Sequence, residues 1–247
     1  MIGLGLKKFS CDFHVHTCLS PCADITMTPR AVAKVLTEKG IDWIAVTDHN
    51  SAGNVRTFMK ALTLQGIKVI PGIEVHTAED VHLLAYFPDA ETAEDYSSWL
   101  YDKIPDISID PEKFGYQLFV NENDEFIGME EKWLGQPANV KIHEAIQEIL
   151  KRKGIFAFAH AERRMGILYQ LGFIPPVANP VLVEVAFKKT LHEFPSNVAI
   201  NCLHSSDAHS LNMLKPSMVV ECERRTFEAF KKSLLIDYEA RVRINWV

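Results

Sequence analysis

His14 and His16 stand two residues apart, and so do Asp207 and His209. In an extended strand, side chains two apart share a face, so each pair can aim two donors at one centre. His49, Glu74, His82 and His160 add further imidazole and carboxylate groups. One histidine at a strand end is more often hydrogen-bonded or solvated than bound to an ion. A succession of such groups at one strand end after another is the pattern of a metal cluster. Mixed nitrogen and oxygen donors suit zinc, iron or manganese. Glu74 carries two carboxylate oxygens and can bridge two ions. A pair of ions about 3.5–4 Å apart is the usual clamp for in-line attack on phosphorus. The expectation is therefore two or three divalent metal ions (Zn, Mn or Fe) and hydrolytic chemistry.

Other residues stand near this set. Asp48 precedes His49 and, by strand alternation, faces the other way. It reads as a partner that orients a ligand or as a cap for the next helix, and it joins His209 and Arg163 as a candidate catalytic residue. Arg163 and Arg164 follow His160, where an arginine fork suits a phosphate, although a solvated helix start also explains them. Lys188, beside Lys189 after a strand ending at Phe187, is a third candidate substrate-binding residue, although paired lysines are usually surface charge. Glu184 stands inside an apolar strand and needs a partner, within a barrel or near the site. His204 could approach the ions. His76 reads as peripheral, and His143 and His192 as ordinary helix or loop residues.

The elements that must position these groups alternate along the chain. Strands are expected at 9–16, 42–48, 67–75, 81–87, 155–160, 181–187, 199–209 and 217–223. Helices are expected at 28–40, from Ser51 to Gly66, at 140–153, at 163–172 and from Thr226 to about Asp237, with Thr28-Pro29 as a helix start. Largely apolar strands alternating with helices predict a buried parallel sheet. Ligands from at least six strands favour closure into a barrel, whose active site lies at the strands' C-terminal ends, over an open sheet with one crevice. Residues 88–140 interrupt the rhythm and read as an insertion or small lid within a single domain spanning 1–247.

The chain's 247 residues can bury a large core. A net charge of −6 argues against a nucleic-acid coat or an anionic membrane as the main partner, while a metal cluster supplies local positive charge for an oligonucleotide. Five cysteines do not make a disulfide framework, which points to a reduced, cytoplasmic chain. The N-terminus, M-I-G-L-G-L-K-K, lacks a signal peptide's long apolar region, and no apolar run spans a membrane.

The motifs H-V-H-T, T-D-H-N, G-I-E-V, H-L-L-A-Y-F, F-A-H-A-E-R and S-S-D-A-H, in that order between residues 14 and 209, resemble those of the PHP (polymerase and histidinol phosphatase) family of metal-dependent phosphoesterases. The resemblance implies a distorted (β/α)7 barrel of the PHP type and a trinuclear site. It implies that His14, His16, Glu74 and Asp207 hold one ion and that Glu74, His82 and His160 hold the second. His49 and His209 would hold the third, with one ligand from the loop after H-x-H. That loop reads C-L-S-P-C-A-D: Asp24 suits a hard site, Cys22 fits one known spacing, and Asp24 is the preferred ligand.

The function this implies is hydrolysis of a phosphate ester by activated water. The substrate would be a small nucleotide or short oligonucleotide, with no membrane partner and no stable nucleic-acid complex, and with His209 or His204 as a proton donor. Histidinol phosphate is the alternative substrate. A barrel amidohydrolase and a non-catalytic PHP scaffold are the competing readings. The first lacks a lysine at a strand end for a carboxylated bridge, and the second conflicts with a nearly whole ligand set.

Overall fold

The computed structural model describes residues 5–246. The first four residues, part of the N-terminus expected to lack a signal peptide, lie outside the described residues. The chain opens with β1 (Lys7–Val15), α1 (Pro29–Glu38), β2 (Trp43–Val46), α2 (Val55–Thr63), β3 (Lys68–His76) and β4 (His82–Tyr86). Then come α3 (Ala90–Tyr101), α4 (Pro111–Phe114) and a hairpin, β5 (Leu118–Val120) with β6 (Phe126–Met129). The remainder is α5 (Ile142–Lys151), β7 (Ile155–Phe158), α6 (Ile167–Leu171), β8 (Val181–Glu184), β9 (Ile200–Leu203), β10 (Met218–Cys222), α7 (Phe227–Leu235), α8 (Tyr238–Arg241) and β11 (Val242–Ile244).

Local chemistry sets these boundaries. Thr28 is extended and Pro29 opens α1, where its missing N–H costs nothing. Gly40, at φ 65°, follows its end. α5 buries Ile142, Ala145, Ile146 and Ile149, the single stripe of a surface helix.

The strands form one nine-stranded sheet in the order β11-β10-β1-β2-β3-β4-β7-β8-β9, a nearly closed and distorted barrel. Closure is made at the mouth, where Val15 pairs with Ala208: His16 N–H donates to Ala208 O at 3.0 Å and Ala208 N–H to His14 O at 3.3 Å. Strand alternation sorts the core. Trp43 and Ala45 belong with Phe13, Leu84 and Tyr86 in one cluster, plugged by Phe230 of α7. Ile44 and Val46 face the other way, into the layer packed by α1 and α2.

The expected parallel sheet forms only in part: β1–β2, β2–β3, β7–β8 and β8–β9 pair parallel. β3–β4, β4–β7, β1–β10 and β10–β11 pair antiparallel. Only five residues (77–81) separate β3 from β4, too few for a parallel crossover, so the chain must turn back as a hairpin. His82 therefore stands at the start of β4, opposite His76 at the end of β3. It reaches the same mouth from the strand's N-terminal end.

Within 88–140, α3 packs on β3, and the rest ties to the loop after β1. Leu118 N–H donates to Cys18 O at 2.8 Å, and the Asn54 side chain holds Leu118 O and Val120 N–H. The side-chain amide of Asn50 donates to Leu134 O and Gln136 O, both at 2.9 Å. Among the described residues no helix is long and apolar enough to cross a membrane.

Candidate metal centre

Eight chemically capable side chains meet at the barrel mouth, brought by different devices. β1 delivers His14 and His16 where its pairing with β2 shifts register. The β2–β3 ladder runs on past its strands: Glu74 N–H donates to Asp48 O at 3.0 Å and Asn50 N–H to Glu74 O at 2.8 Å, setting His49 beside Glu74. Three residues at the mouth, Asn50 (φ 51°), His160 (φ 26°) and Asp207 (φ 52°), hold left-handed backbone that non-glycine residues seldom adopt. Such strain persists where the surroundings over-determine it, and it concentrates at functional sites.

Glu74 lies at the middle, buried. Its Oε1 is 2.9 Å from His82 Nδ1, 3.1 Å from His160 Nε2 and 3.4 Å from His14 Nε2. Its Oε2 is 3.0 Å from His49 Nδ1 and 3.3 Å from His16 Nε2. Asp207 Oδ1 is 3.3 Å from both His14 Nε2 and His16 Nε2. The donors His14–His16–Asp207, His49–Glu74–His82 and His16–His49–His209 form three groups close enough to share an ion.

Hydrogen bonds fix which nitrogens face inward. Glu184 Oε2 accepts from His14 Nδ1 at 2.9 Å and from the His160 N–H at 3.0 Å. Ser20 Oγ lies 2.9 Å from His16 Nδ1, accepts from His49 N–H, and donates to Asp48 Oδ1 at 2.6 Å. With each Nδ1 so engaged, His14 Nε2 and His16 Nε2 face each other across 3.1 Å. Two imidazole nitrogens this close need a cation between them, a proton or a metal ion. Two ligands about 2.1 Å from one ion stand roughly 3.0–3.4 Å apart, which is this spacing. His49 Nδ1 is buried 3.0 Å from Glu74 Oε2 without making a hydrogen bond, an arrangement that an ion between them would explain. The residues fit divalent metal.

The electrostatics agree. Burial would raise the Glu74 pKa, but His82, His14 and His49 hold it well below the ordinary range. Burial would lower that of His14, but Glu184, Asp207 and Glu74 raise it instead. Burial wins at His82, pushing it down to about 4 despite Glu74. Burial would raise the Cys22 thiol, but His49 and His209 bring it down to about 5.

The structure thus brings together His14, His16, His49, Glu74, His82, His160, Asp207 and His209. It does not bring in Asp24. That side chain is exposed, and its Oδ1 accepts from the backbone N–H and the hydroxyl of Thr26, both at 2.8 Å. Cys22 instead stands close enough to His49 and His209 for their imidazoles to lower its thiol pKa. Asp48 has no free edge for catalysis, because Thr17 N–H, Thr17 Oγ1 and Ser20 Oγ occupy its oxygens at 2.6–2.7 Å; it orients His16 and His49 through Ser20. His209 donates Nδ1–H to Asp207 O at 2.8 Å, leaving a lone pair on Nε2. That suits a ligand, not a proton donor. Arg163 binds Asp207 Oδ2 at 2.5 Å, while Arg164 and Lys188 are exposed. His76 is buried on Asp80, and His204 lies against Val185 O and Trp246. Ser20 escapes a reading of the sequence, because nothing in strand periodicity marks a loop hydroxyl as the link between Asp48 and two histidines.

A family model for the PHP domain matches residues 12–155, more than half of the chain. Among solved structures, the lesion-specific endonuclease EndoQ of Pyrococcus furiosus superposes with a TM-score of 0.67 at 16% identity, over 96% of this chain and 58% of that one. Endonuclease Q in complex with a 27-mer duplex substrate carrying an abasic lesion gives 0.63 at 16%, over 97% and 58%. A two-domain protein from Bacteroides vulgatus containing a PHP-like metal-dependent phosphoesterase gives 0.52 at 16%, over 98% and 66%. At these identities the likeness is one of fold, and the chain spans under three-fifths of the length of the endonuclease Q chains. No curated protein sequence matches it. By the family match, and with the ligand-bearing motifs gathered at one barrel mouth, the chain belongs to the PHP domain family.

Proposed function

We propose that this chain is a metal-dependent phosphoesterase acting on a nucleotide or short oligonucleotide. His14, His16, Glu74 and Asp207 would hold one ion, Glu74, His82 and His160 a second, and His49 and His209 a third. The observation that carries this reading is Glu74, whose two oxygens lie within 3.4 Å of nitrogens from five histidines. A carboxylate faced by donors on several sides suits a bridge. When bound, divalent ions lower the pKa of water and neutralise charge on phosphoryl oxygens.

The chain's own residues prepare that chemistry. Glu184 and the Asp48–Ser20 pair hold His14 and His16 in the tautomers that present Nε2. Arg163, paired with Asp207, has a partly exposed guanidinium that a substrate phosphate can engage through its other N–H groups. Arg164 and Lys188 are exposed beyond the ends of β7 and β8 and would add positive charge at the rim. With His209 Nε2 committed to an ion, solvent supplies the leaving group's proton. The 105–138 stretch, tied to the loop after β1, would serve as a brace as much as a lid.

The substrate class rests on the endonuclease Q likeness, where a duplex substrate carries an abasic lesion at the active site, and on the net charge of −6, which disfavours tight binding of long nucleic acid. The test is phosphate or nucleotide release from nucleoside monophosphates, 3′,5′-bisphosphates, short oligonucleotides and histidinol phosphate, with added zinc, manganese or iron. Metal-dependent release that His14→Ala abolishes supports the reading. Metal binding without turnover of any substrate overturns it.

A further inference from the structure

We infer that Cys22 is the loop ligand of the third ion, so that this cluster joins a sulfur-containing site to one built from nitrogen and oxygen alone. The inference deepens the metal-centre reading and rests on it. Asp24, the oxygen donor that a hard site would take, is exposed and committed to Thr26. Cys22 is held in place from both sides. Before it, Ser20 is anchored on Asp48 at 2.6 Å and on His16 at 2.9 Å. After it, Asp24 N–H donates to His209 O at 2.8 Å. A turn closed by Ala23 N–H on Ser20 O at 3.0 Å sets residue 22 between these clamps. Behind the turn, Pro21 O packs so closely on Gly115 that a Cβ there would lie 1.7 Å away. The loop thus holds residue 22 between one neighbour anchored on His16 and another anchored on His209.

A second observation points to an ion at this place. His49, 8% exposed, has an Nδ1 that makes no hydrogen bond although it stands 3.0 Å from Glu74 Oε2. His16, His49 and His209 can share one centre. Of the five cysteines, Cys22 alone is exposed; Cys11, Cys18, Cys202 and Cys222 are buried. Catalytic zinc accepts mixed thiolate and imidazole donors with an open fourth position. A thiolate selects zinc or iron(II) and disfavours manganese and magnesium, which prefer oxygen. Cys22 therefore determines which metal fills the third position.

Cobalt(II) reads this directly, because a bound thiolate gives a near-ultraviolet sulfur-to-cobalt charge-transfer band. Metal-free protein is loaded with cobalt, and absorption and bound metal are measured for wild type, Cys22→Ser, Cys22→Asp and Asp24→Asn. The band should appear in wild type and Asp24→Asn and be lost in both Cys22 variants. Cys22→Ser should also bind about one equivalent less cobalt, and Cys22→Asp should regain it and accept manganese there. Cobalt bound by wild type without the band overturns the inference and leaves the metal centre standing. A band that persists in Cys22→Ser also overturns it. Failure of wild type to bind cobalt at all overturns the metal centre itself, and the inference with it.

Discussion

Replacing Glu184 by glutamine should weaken the metal centre without touching any ligand. Glu184 is buried, and its Oε2 accepts from His14 Nδ1–H at 2.9 Å and His160 N–H at 3.0 Å, while Oε1 lies 3.2 Å from the same imidazole nitrogen. Glutamine fills the same volume with one oxygen and one NH2. If the oxygen takes the Oε2 position, both hydrogen bonds survive uncharged, and the NH2 faces the imidazole N–H, donor against donor. If it flips, both donors lose their acceptor. The first orientation wins and forfeits the charge assistance, worth on the order of 1 kcal/mol. Outer carboxylates of this kind typically change metal affinity by about 10–100-fold, or roughly 1.4–2.7 kcal/mol. A second effect opposes it. Glu184 also helps to hold the His14 pKa up in the metal-free protein, and a protonated His14 must lose its proton to bind metal. Chelator competition should therefore show a loss that shrinks as pH falls. Zinc affinity within about twofold of wild type at pH 8, in a folded variant, would refute the reasoning.

Four further outcomes are expected. Asp207→Asn should reduce turnover by more than the roughly 10–100-fold of an outer-shell change while its melting temperature stays near wild type; retained activity after metal reconstitution would contradict its place as a ligand. In the metal-free protein, Cys22 should react with iodoacetamide as a thiolate, its rate rising through about pH 5 and levelling by neutrality, where a thiol of ordinary pKa 9.0 is still mostly protonated. Metal should protect it, and an alkylation profile centred near 9 would show the imidazoles are not beside it. Gly166→Ala would place a Cβ 2.3 Å from His160 O and 2.5 Å from Ala161 O. That overpacking costs about 1–3 kcal/mol, read as a fall in melting temperature of about 2–4 °C per kcal/mol. Ser20→Ala should lower metal affinity about tenfold by freeing the Nδ1 side of His16, measured by the same chelator competition.

Much of this arrangement is legible in the sequence because chain-local rules govern it. The i, i+2 spacing of His14 and His16 survives folding, since strand geometry alone puts both on one side. Thr28-Pro29 marks a helix start for reasons internal to the backbone. The direction of β4 was less apparent, although the five-residue gap after β3 contained the answer: its length, not its composition, dictates a hairpin. Choosing between Asp24 and Cys22 required the tertiary structure. Residue type favours the carboxylate, but Thr26, two residues on, captures it, while the clamps on Ser20 and Asp24 N–H turn residue 22 toward the histidines. The roles of Glu184 and Asp48 depend on partners 170 and 28–31 residues away, which no local pattern reveals.

The pairing of Val15 with Ala208 makes the barrel's hasp out of the site's own flanks. His14 O, His16 N–H and both polar backbone groups of Ala208 tie the two ligand-bearing segments together. An ion gripping His14 and His16 on one side and Asp207 on the other spans that same joint. Opening the joint then means giving up the ion, so metal raises the free energy of local opening by RT ln(1 + [M]/Kd), about 2.7 kcal/mol at a hundred times Kd. The amide protons of His16 and Ala208 should exchange with solvent about a hundredfold more slowly once metal is bound, and amides within α7, remote from the joint, should show no comparable local slowing. The barrel's closing joint and its candidate metal centre are one place, and an ion bound there would act as a latch.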